Sequence, residues 1–198
     1  MGYVELRDSD DIILASASSI MLSNVQKLLQ SIFKLKIFGD LKYFLGLKIA
    51  KSTNGIHLCQ RKYTLNLLQD TNFTACKPTA LQMEPNLKLS STDSTSLSDS
   101  SLYQRLVDRL IYLTISRPEI TYAVNTLSQF LKSPSSSHMD ALHHILRYLK
   151  GSPGQGLFFS ANSNIRLMAY ADSDWVGCPD TRRSVTGYYT FIDNSLIS

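Results

Sequence analysis

The sequence predicts an α+β fold in which strands at both ends of the chain flank a helical middle. Apolar and polar residues alternate over 41–50 and are followed by an Asn54-Gly55 turn, which is typical of a β-hairpin. Three segments with helical apolar spacing follow over 102–150, and strand-like segments come after them. The 198 residues are 43% hydrophobic with a net charge of +4, so we expect one or two compact domains. This composition excludes a wholly disordered chain.

The first region, residues 1–70, combines a short strand, a helix, a hairpin and a second helix. Asp10 and Asp11 precede an apolar run of strand length. Helical spacing then predicts an amphipathic helix over 19–33, capped by Ser18 or Ser19. The residues of its apolar stripe are Met21, Leu22, Val25, Leu28, Leu29 and Ile32. A hairpin over 41–59 and a helix from Arg61 to Asp70 complete the region.

The remaining chain reads as a connection, a helical bundle and a set of strands. Two X-Pro pairs and a Ser-rich stretch make 71–101 an exposed connection. Residues 102–150 form three helices, with Pro118 in the first turn of the second helix and Gly151 closing the third. The last region, 151–198, is predicted to contain strands at 157–160, 165–172 and 184–192. No helix covers them, so the sequence predicts an apolar face left unburied in an incomplete last domain.

Two acidic sites are candidates for metal chemistry. The adjacent carboxylates of Asp10 and Asp11 repel one another, and a Mg²⁺ ion would relieve that repulsion. Two such ions ~4 Å apart can hold the attacking and leaving oxygens of a phosphoryl transfer. Asp172 lies at the end of an apolar strand, and whether Asp174 assists it is left open. The alternatives are a solvated turn at Asp10-Asp11, which the residues alone favour, and a polar strand end at Asp172.

Other function classes have weak support. No phosphate-binding loop, dinucleotide motif or Ser-His-Asp order occurs. The three cysteines have no CxxC spacing, so a disulfide framework or zinc site is not expected. His143 and His144 are consecutive on a helix and point about 100° apart, which prevents a shared ligand face. Neither a signal peptide nor a membrane-length apolar run is present. We expect an intracellular protein with no membrane partner, its compartment (mitochondrial, cytoplasmic or nuclear) left open.

Nine short motifs taken together resemble one family. They are Asp10-Asp-Ile-Ile-Leu14, Gly39-Asp-Leu-Lys-Tyr-Phe-Leu-Gly-Leu47, Gln60-Arg-Lys-Tyr63, Cys76-Lys-Pro78, Leu110-Ile-Tyr-Leu-Thr114, Arg117-Pro118, Leu146-Arg-Tyr-Leu-Lys-Gly151, Asp172-Ser-Asp-Trp-Val-Gly177 and Arg182-Arg-Ser-Val-Thr-Gly187. In order and spacing they are similar to the Pol polyprotein of copia-type LTR retrotransposons, from the C-terminal part of reverse transcriptase into the start of RNase H. Short uncharacterised plant mitochondrial reading frames of this lineage have a similar extent.

The resemblance implies a role for each region. Residues 1–70 would be a partial palm with a primer-grip-like hairpin, 102–150 thumb or connection helices, and 151–198 a truncated RNase H-like sheet. Asp10 and Asp11 match the catalytic, metal-binding aspartates of the palm, and Asp172 matches the first metal-binding carboxylate of RNase H. The cofactor implied is Mg²⁺ or Mn²⁺. The ancestral reaction is RNA-directed DNA synthesis, with RNA cleavage by RNase H.

The departures from the family pattern bear on activity. Asp8 and Ser9 stand where the family has an aromatic residue and a valine, and Asp108 stands where a small glycine is usual. The segment from Val4 to Asp8 is polar and is expected to pair poorly as a central strand. The family's other metal-binding carboxylates fall outside this chain, so the chain is expected to be inactive alone and not to bind the metal productively. Whether it is an enzyme at all stays open.

Two further functions are open. The chain would be a binding module for an RNA/DNA primer–template duplex if its basic residues form one surface, or a remnant of a decayed element without function. The candidate basic residues are Lys42, Lys48, Arg61, Lys62, Arg147 and Lys150. Lys42 and Lys48 are predicted to share one face of the hairpin. The alternative is that these are solvated lysines that form no binding surface. The missing Pol segments are the other partners implied by the resemblance.

Overall fold

The computed structural model describes residues 2–6, 11–85, 87, 89–90, 95–162, 165–173 and 186–197. The chain divides into two compact units, Met1–Ala50 and Lys51–Ser198. The sequence placed its first boundary at residue 70, whereas the structure places the division inside the predicted hairpin. The helix at 61–70 therefore belongs to the second unit, because its apolar face packs against the later helices. No helix among the described residues has the length and apolar character needed to cross a membrane.

The first unit begins with a three-stranded antiparallel sheet. Strands β1 (Gly2–Leu6), β2 (Asp11–Leu14) and β3 (Leu35–Asp40) lie in the order β2-β1-β3. Contrary to the expectation for Val4 to Asp8, the described part of this segment pairs as a central strand, since β1 pairs on both sides as far as Glu5. Arg7 and Asp8 lie outside the described residues. Backbone N–H and C=O groups make these bonds whatever the side chains are.

Helix α1 (Ser19–Ile32) confirms the predicted amphipathic helix and its cap. The Ser18 hydroxyl accepts a hydrogen bond from the Met21 backbone N–H at 3.3 Å, which satisfies one of the free donors of the first turn. No residue of α1 is buried. Leu22 and Leu29 are half-buried, while the rest of the predicted apolar stripe is exposed.

The predicted single strand over 41–50 is wrong, because it is two strands joined by a tight turn. Strands β4 (Tyr43–Phe44) and β5 (Leu47–Ser52) pair antiparallel, with Tyr43 opposite Lys48. Leu45 and Gly46 between them have φ values of 45° and 76°. Positive φ at both central residues is the requirement of a type I′ hairpin turn. Because leucine rarely adopts a positive φ, the sequence pattern did not predict a turn here.

The predicted turn after β5 is present in the second unit, but it is formed by Thr53 and Asn54, one residue earlier than the predicted Asn54-Gly55. Strand β5 ends at Ser52, strand β6 (Gly55–Cys59) follows, and β6 pairs antiparallel with β7 (Leu157–Ser160). A Cβ on Gly55 would lie 2.1 Å from the Phe159 carbonyl oxygen, and one on Gly156 would lie 2.1 Å from the Leu58 carbonyl oxygen. The close approach of β6 and β7 therefore depends on these two glycines.

The helical core of the second unit follows the predicted order of helices. These are α2 (Arg61–Asp70), α3 (Ser101–Leu113), a 3₁₀ turn (Pro118–Ile120), α4 (Thr121–Ser128) and α5 (Ser136–Gly151). Their buried apolar side chains form one continuous cluster. Pro118 opens the 3₁₀ turn, where its missing N–H leaves no helical bond unmade. The predicted three-helix region and the helix at 61–70 are thus confirmed.

The connection over 71–101 is partly docked on this core rather than exposed throughout. Leu89 is buried, and Phe73, Met83 and Leu97 pack against the helical cluster. The Leu97 N–H donates to the Pro134 carbonyl oxygen at 3.0 Å. Polar composition predicted the exposed part of this segment, and its few apolar residues attach it to the helices.

A buried arginine joins the 3₁₀ turn to the end of α5. Arg117 is 1% exposed and forms a salt bridge with Glu119. Its guanidinium donates to the Ser152 carbonyl oxygen at 2.8 Å and to the Ser152 hydroxyl at 3.0 Å, and it lies over the Tyr148 ring. These bonds satisfy a carbonyl that the helix end leaves without an intrahelical donor. The Arg117-Pro118 motif is therefore structural in this fold.

The last sheet contains β8 (Leu167–Ser173), β9 (Thr186–Ile192) and β10 (Ser195–Leu196) in the order β10-β9-β8. Tyr188 and Tyr189 are neighbours on β9, so their side chains point to opposite faces. Both are exposed, at 64% and 48%. The sequence predicted one uncovered face, whereas both faces of the sheet carry an exposed tyrosine at this position.

Candidate functional site

The first acidic candidate lies at the start of β2. Asp11 is the first residue of that strand, and the backbone register places it opposite Glu5 of β1. Its predicted partner Asp10 lies outside the described residues. The structure therefore fixes the strand that carries Asp11 but does not test the predicted pairing of two metal-binding aspartates.

The second acidic candidate, Asp172, lies at the exposed end of β8. Its register partner on β9 is Gly187, and its Oδ1 atom accepts a hydrogen bond from the Ser173 N–H at 2.9 Å. Asp172 is one of the residues that border a cavity of about 770 Å³ between the β8–β9 sheet and the 3₁₀ and α4 region. Four tyrosines also line this cavity, namely Tyr122, Tyr170, Tyr188 and Tyr189. Asp174 and Trp175 lie outside the described residues.

The described side chains do not fit a complete metal site. Among them, no group of three or more histidine, cysteine, aspartate or glutamate side chains is placed to hold an ion. Mg²⁺ takes six ligands in octahedral geometry, and catalytic pairs of such ions are clamped by several carboxylates. Asp172 supplies one carboxylate, so no catalytic step through a metal can be derived from the part of the chain that the structure describes.

The two basic candidates of the first unit do not share a face. Lys42 and Lys48 are both exposed. Lys48 lies opposite Tyr43, and the Ile49 N–H donates to the Lys42 carbonyl oxygen at 2.8 Å. Because opposite residues of an antiparallel pair share a face and neighbours alternate, the two lysines point to opposite faces. The prediction of one shared lysine face is wrong, and the turn at Leu45 is the reason.

Three basic candidates of the second unit lie at helix ends. Arg61 and Lys62 are the first two residues of α2, and both are exposed. The Arg61 side chain lies against Gly154, where an added Cβ would be 3.4 Å from the Arg61 Cδ atom. Gly154 comes three residues after α5 ends, and Lys150 lies in the last turn of α5. A cation is favoured there by the helix dipole.

Arg147 is only half-buried, yet its guanidinium is partly enclosed. One terminal nitrogen lies 3.4 Å from His144 Nδ1, while its Nε atom is buried without a hydrogen-bond partner. His144 lies 3.9 Å from a carboxylate oxygen of Glu84. Burial lowers the pKa of the neighbouring His143; the Asp140 carboxylate opposes this shift and Arg147 adds to it. Arg147 thus faces the docked connection as well as the solvent.

A basic and aromatic surface on α3 was missed in the sequence. Arg105 and Arg109 border a second cavity of about 510 Å³ together with Tyr63 of α2 and Asp108. Arg109 forms an ion pair with Asp70 at 2.9 Å, and its guanidinium lies 5.7 Å from the centre of the Tyr63 ring. The spacing of four residues between the two arginines places them on one helix face, and that spacing is the signal available in the sequence.

Comparison with known proteins assigns the class to which the first part of the chain belongs. A family model described as "Reverse transcriptase (RNA-dependent DNA polymerase)" matches residues 5–85. This range contains Asp11, α1, the β4–β5 turn and α2. The first part of the chain is therefore of the reverse transcriptase class.

Relatives match nearly the whole chain. The "Retrovirus-related Pol polyprotein from transposon RE1" of Arabidopsis thaliana is 40% identical over 96% of this chain, which spans 13% of that relative's length. The "Uncharacterized mitochondrial protein AtMg00810" of the same plant is 40% identical over 96% of this chain and 78% of its own length. The Pol polyprotein from transposon TNT 1-94 of Nicotiana tabacum is 31% identical over 92% of this chain and 14% of its own length.

The chain belongs to the family of retrovirus-related Pol polyproteins of copia-type transposons, as its motifs predicted. It spans a small part of the full-length Pol relatives and most of the short mitochondrial one. No solved structure matches the chain.

Proposed function

We propose that this chain is the C-terminal part of a Pol reverse transcriptase followed by the start of an RNase H-like domain, and that it has no catalytic activity alone. The observation that supports this is that its two acidic candidates belong to different strands of different units. Asp11 begins β2 in the first unit, and Asp172 is the last residue but one of β8 in the second. Each strand would supply part of a different carboxylate set, and nucleotidyl transfer needs one complete set around its ions.

A primer-extension assay tests the proposed inactivity. The full chain is incubated with an RNA template, a DNA primer and nucleotides in the presence of Mg²⁺ or Mn²⁺, beside the Asp11→Asn variant. We expect no extension above background for either protein. Synthesis by the native chain that is lost in Asp11→Asn would contradict the proposal.

The RNase H part of the proposal has its own assay. The full chain and its Asp172→Asn variant are incubated with a labelled RNA–DNA hybrid and the same ions. We expect the RNA strand to remain intact, because Asp172 is a single described carboxylate on an exposed strand end. Cleavage by the native chain that Asp172→Asn abolishes would instead show an active site in the second unit.

A second candidate function is binding of a primer–template duplex without catalysis. It is favoured by Arg61 and Lys62, which are exposed at the start of α2, and by the contact of the Arg61 side chain with Gly154, three residues after α5 ends. Cations on such a surface neutralise phosphates, so the affinity would be weak and would fall steeply with salt concentration. Lys42 and Lys48 are not expected to act together, because they point to opposite faces of their hairpin.

Fluorescence anisotropy with a labelled RNA–DNA duplex at low salt tests this second candidate. We expect the Arg61→Gln, Lys62→Gln double variant to bind about tenfold more weakly than the native chain. The matched control is Lys132→Gln with Arg166→Gln, which removes the same two charges from other exposed positions. Equal losses in the two double variants would contradict a localised site. Absence of binding by the native chain would favour a remnant without this function.

A further inference from the structure

The cavity that Asp172 borders is lined by residues that attract positive charge. Its volume of about 770 Å³ lies in the range of small-molecule sites. Of the described residues that line it, four are tyrosines and one is an aspartate, while none is a lysine, arginine or histidine. A carboxylate and the negative face of an aromatic ring both attract a cation. The described lining therefore favours a cationic ligand over an anionic one.

Two of the tyrosines and the aspartate occupy one face of the β8–β9 sheet. Tyr170 lies opposite Tyr189 in the strand register, so their side chains share a face. Asp172 follows Tyr170 by two residues on β8 and lies on the same face. The Tyr170 ring makes an edge contact with Phe191, with the ring centres 6.0 Å apart, which is a stable aromatic arrangement. The carboxylate and two phenol rings therefore lie close together on the sheet.

A third tyrosine lines the cavity from the helical core. Tyr122 is the second residue of α4, and the next two residues of that helix, Ala123 and Val124, are buried in the core cluster. Tyr122, Tyr170 and Tyr189 are exposed to 58%, 60% and 48%. Because these residues line the cavity and are still exposed, a ligand can contact them without any rearrangement of the core.

We propose that this cavity binds an organic ammonium ion, with the Asp172 carboxylate as its counter-ion. The aromatic rings around the cation are those of Tyr122, Tyr170 and Tyr189. A methylated ammonium group suits them because its charge is spread over several methyl groups and is weakly hydrated. A metal ion fits less well, since no three acidic, histidine or cysteine side chains among the described residues are placed to hold one. The proposal does not rest on the proposed function, because it needs neither nucleic acid nor catalysis.

Titration of the full chain with choline, followed through backbone amide NMR signals, tests the proposal. We expect shifts on β8, on β9 and at the start of α4. The dissociation constant should be on the order of 1 mM, because each exposed cation–π contact is weak. The alcohol 3,3-dimethylbutan-1-ol has nearly the same shape as choline without its charge. We expect this neutral compound to bind about tenfold more weakly.

Substitutions separate the contribution of the ring faces from that of the hydroxyl groups. Tyr122→Ala should weaken choline binding about threefold, whereas Tyr122→Phe should keep most of the affinity because the aromatic face remains. Asp172→Asn should weaken it by about the same factor, since the counter-ion is lost. The matched control is Tyr43→Ala, which removes a similarly exposed tyrosine that does not line the cavity and should leave the affinity unchanged. Circular dichroism checks that each variant is folded.

The proposal is overturned if choline at about 50 mM shifts no amide signal of these strands and of α4. It is also overturned if the neutral alcohol binds as tightly as choline, because apolar contact alone would then explain the binding. A folded Tyr122→Ala variant with native affinity would contradict it as well. None of these outcomes changes the expected result of the primer-extension assay, so the two proposals fail independently.

Discussion

Helices α1 and α5 are both amphipathic in sequence, but only α5 is enclosed by its neighbours. Six residues of α5 are buried, including Leu142 and Ile145, whereas α1 buries none. The second unit has a continuous core built from four helices, while Leu41 is the one buried residue among the first-unit side chains that the structure describes. Apolar spacing therefore predicts that a helix forms and which of its faces is apolar. It does not predict whether other residues of the same chain bury that face.

Truncating a leucine in each of these helices would test the comparison most strongly. Leu142→Ala should lower the free energy of unfolding by about 2–5 kcal/mol, because it leaves a cavity in a close-packed core. Leu28→Ala should change it by less than about 0.5 kcal/mol, since that side chain is already exposed. Urea unfolding followed by circular dichroism measures both values. Similar losses would mean that α1 is enclosed in solution.

Two arginines of the second unit allow the stability contribution of a buried ion pair to be compared with that of an exposed one. Arg117→Leu should lower the free energy of unfolding by about 3 kcal/mol, since it removes a buried guanidinium and leaves the half-buried Ser152 carbonyl and the Glu119 carboxylate without their donor. Arg109→Leu removes a pair whose side chains are 25% and 59% exposed, so the expected loss is below about 1 kcal/mol. The same denaturation experiment compares them. A loss for Arg109→Leu as large as that for Arg117→Leu would show that burial is not the deciding factor.

Glycine substitutions would compare the closely packed β6–β7 pair with the exposed strand β9 through their effects on stability. Gly55→Ala should destabilise the β6–β7 pair by about 1–3 kcal/mol, because its Cβ would clash with the backbone of Phe159. Gly187→Ala on β9 should be nearly neutral, since no atom of the residues that the structure describes lies within 4 Å of the added Cβ. Thermal melts of the two variants give the comparison. A large loss for Gly187→Ala would indicate that the face of β9 is covered in solution.

The helices could be predicted from sequence because their signals are local. Apolar period, the Ser18 cap and Gly151 all act within a few residues of the elements they define, so α1, α2 and α5 match their predicted ranges closely. The β4–β5 turn was missed because it depends on a positive φ at Leu45, a conformation that leucine rarely adopts. That single turn also decides which way Lys42 and Lys48 point.

The candidate site was predictable only in part. Motif order identified the family and singled out Asp11 and Asp172, but no local pattern reports which side chains meet in three dimensions. The role of Arg117 is an example, since its partner Ser152 lies 35 residues away in sequence. The pairing of Arg109 with Asp70 depends in the same way on how α2 packs against α3. Such contacts follow from tertiary packing rather than from residue spacing.

The smallest predicted effect concerns the pH dependence of the docked connection. Burial lowers the pKa of His143 in the folded chain, where its ring lies 5.0 Å from that of Phe73. The unfolded chain then binds a proton more readily, so this residue's contribution to stability is complete above about pH 6.5 and is lost as the pH falls toward the lowered value. Replacing His143 by Gln should therefore flatten the decline in melting temperature between neutral and mildly acidic pH. His144→Gln, for which the neighbouring Glu84 supplies a carboxylate at 3.9 Å, is the paired comparison. An unchanged slope in His143→Gln would show that the connection leaves this ring accessible to water.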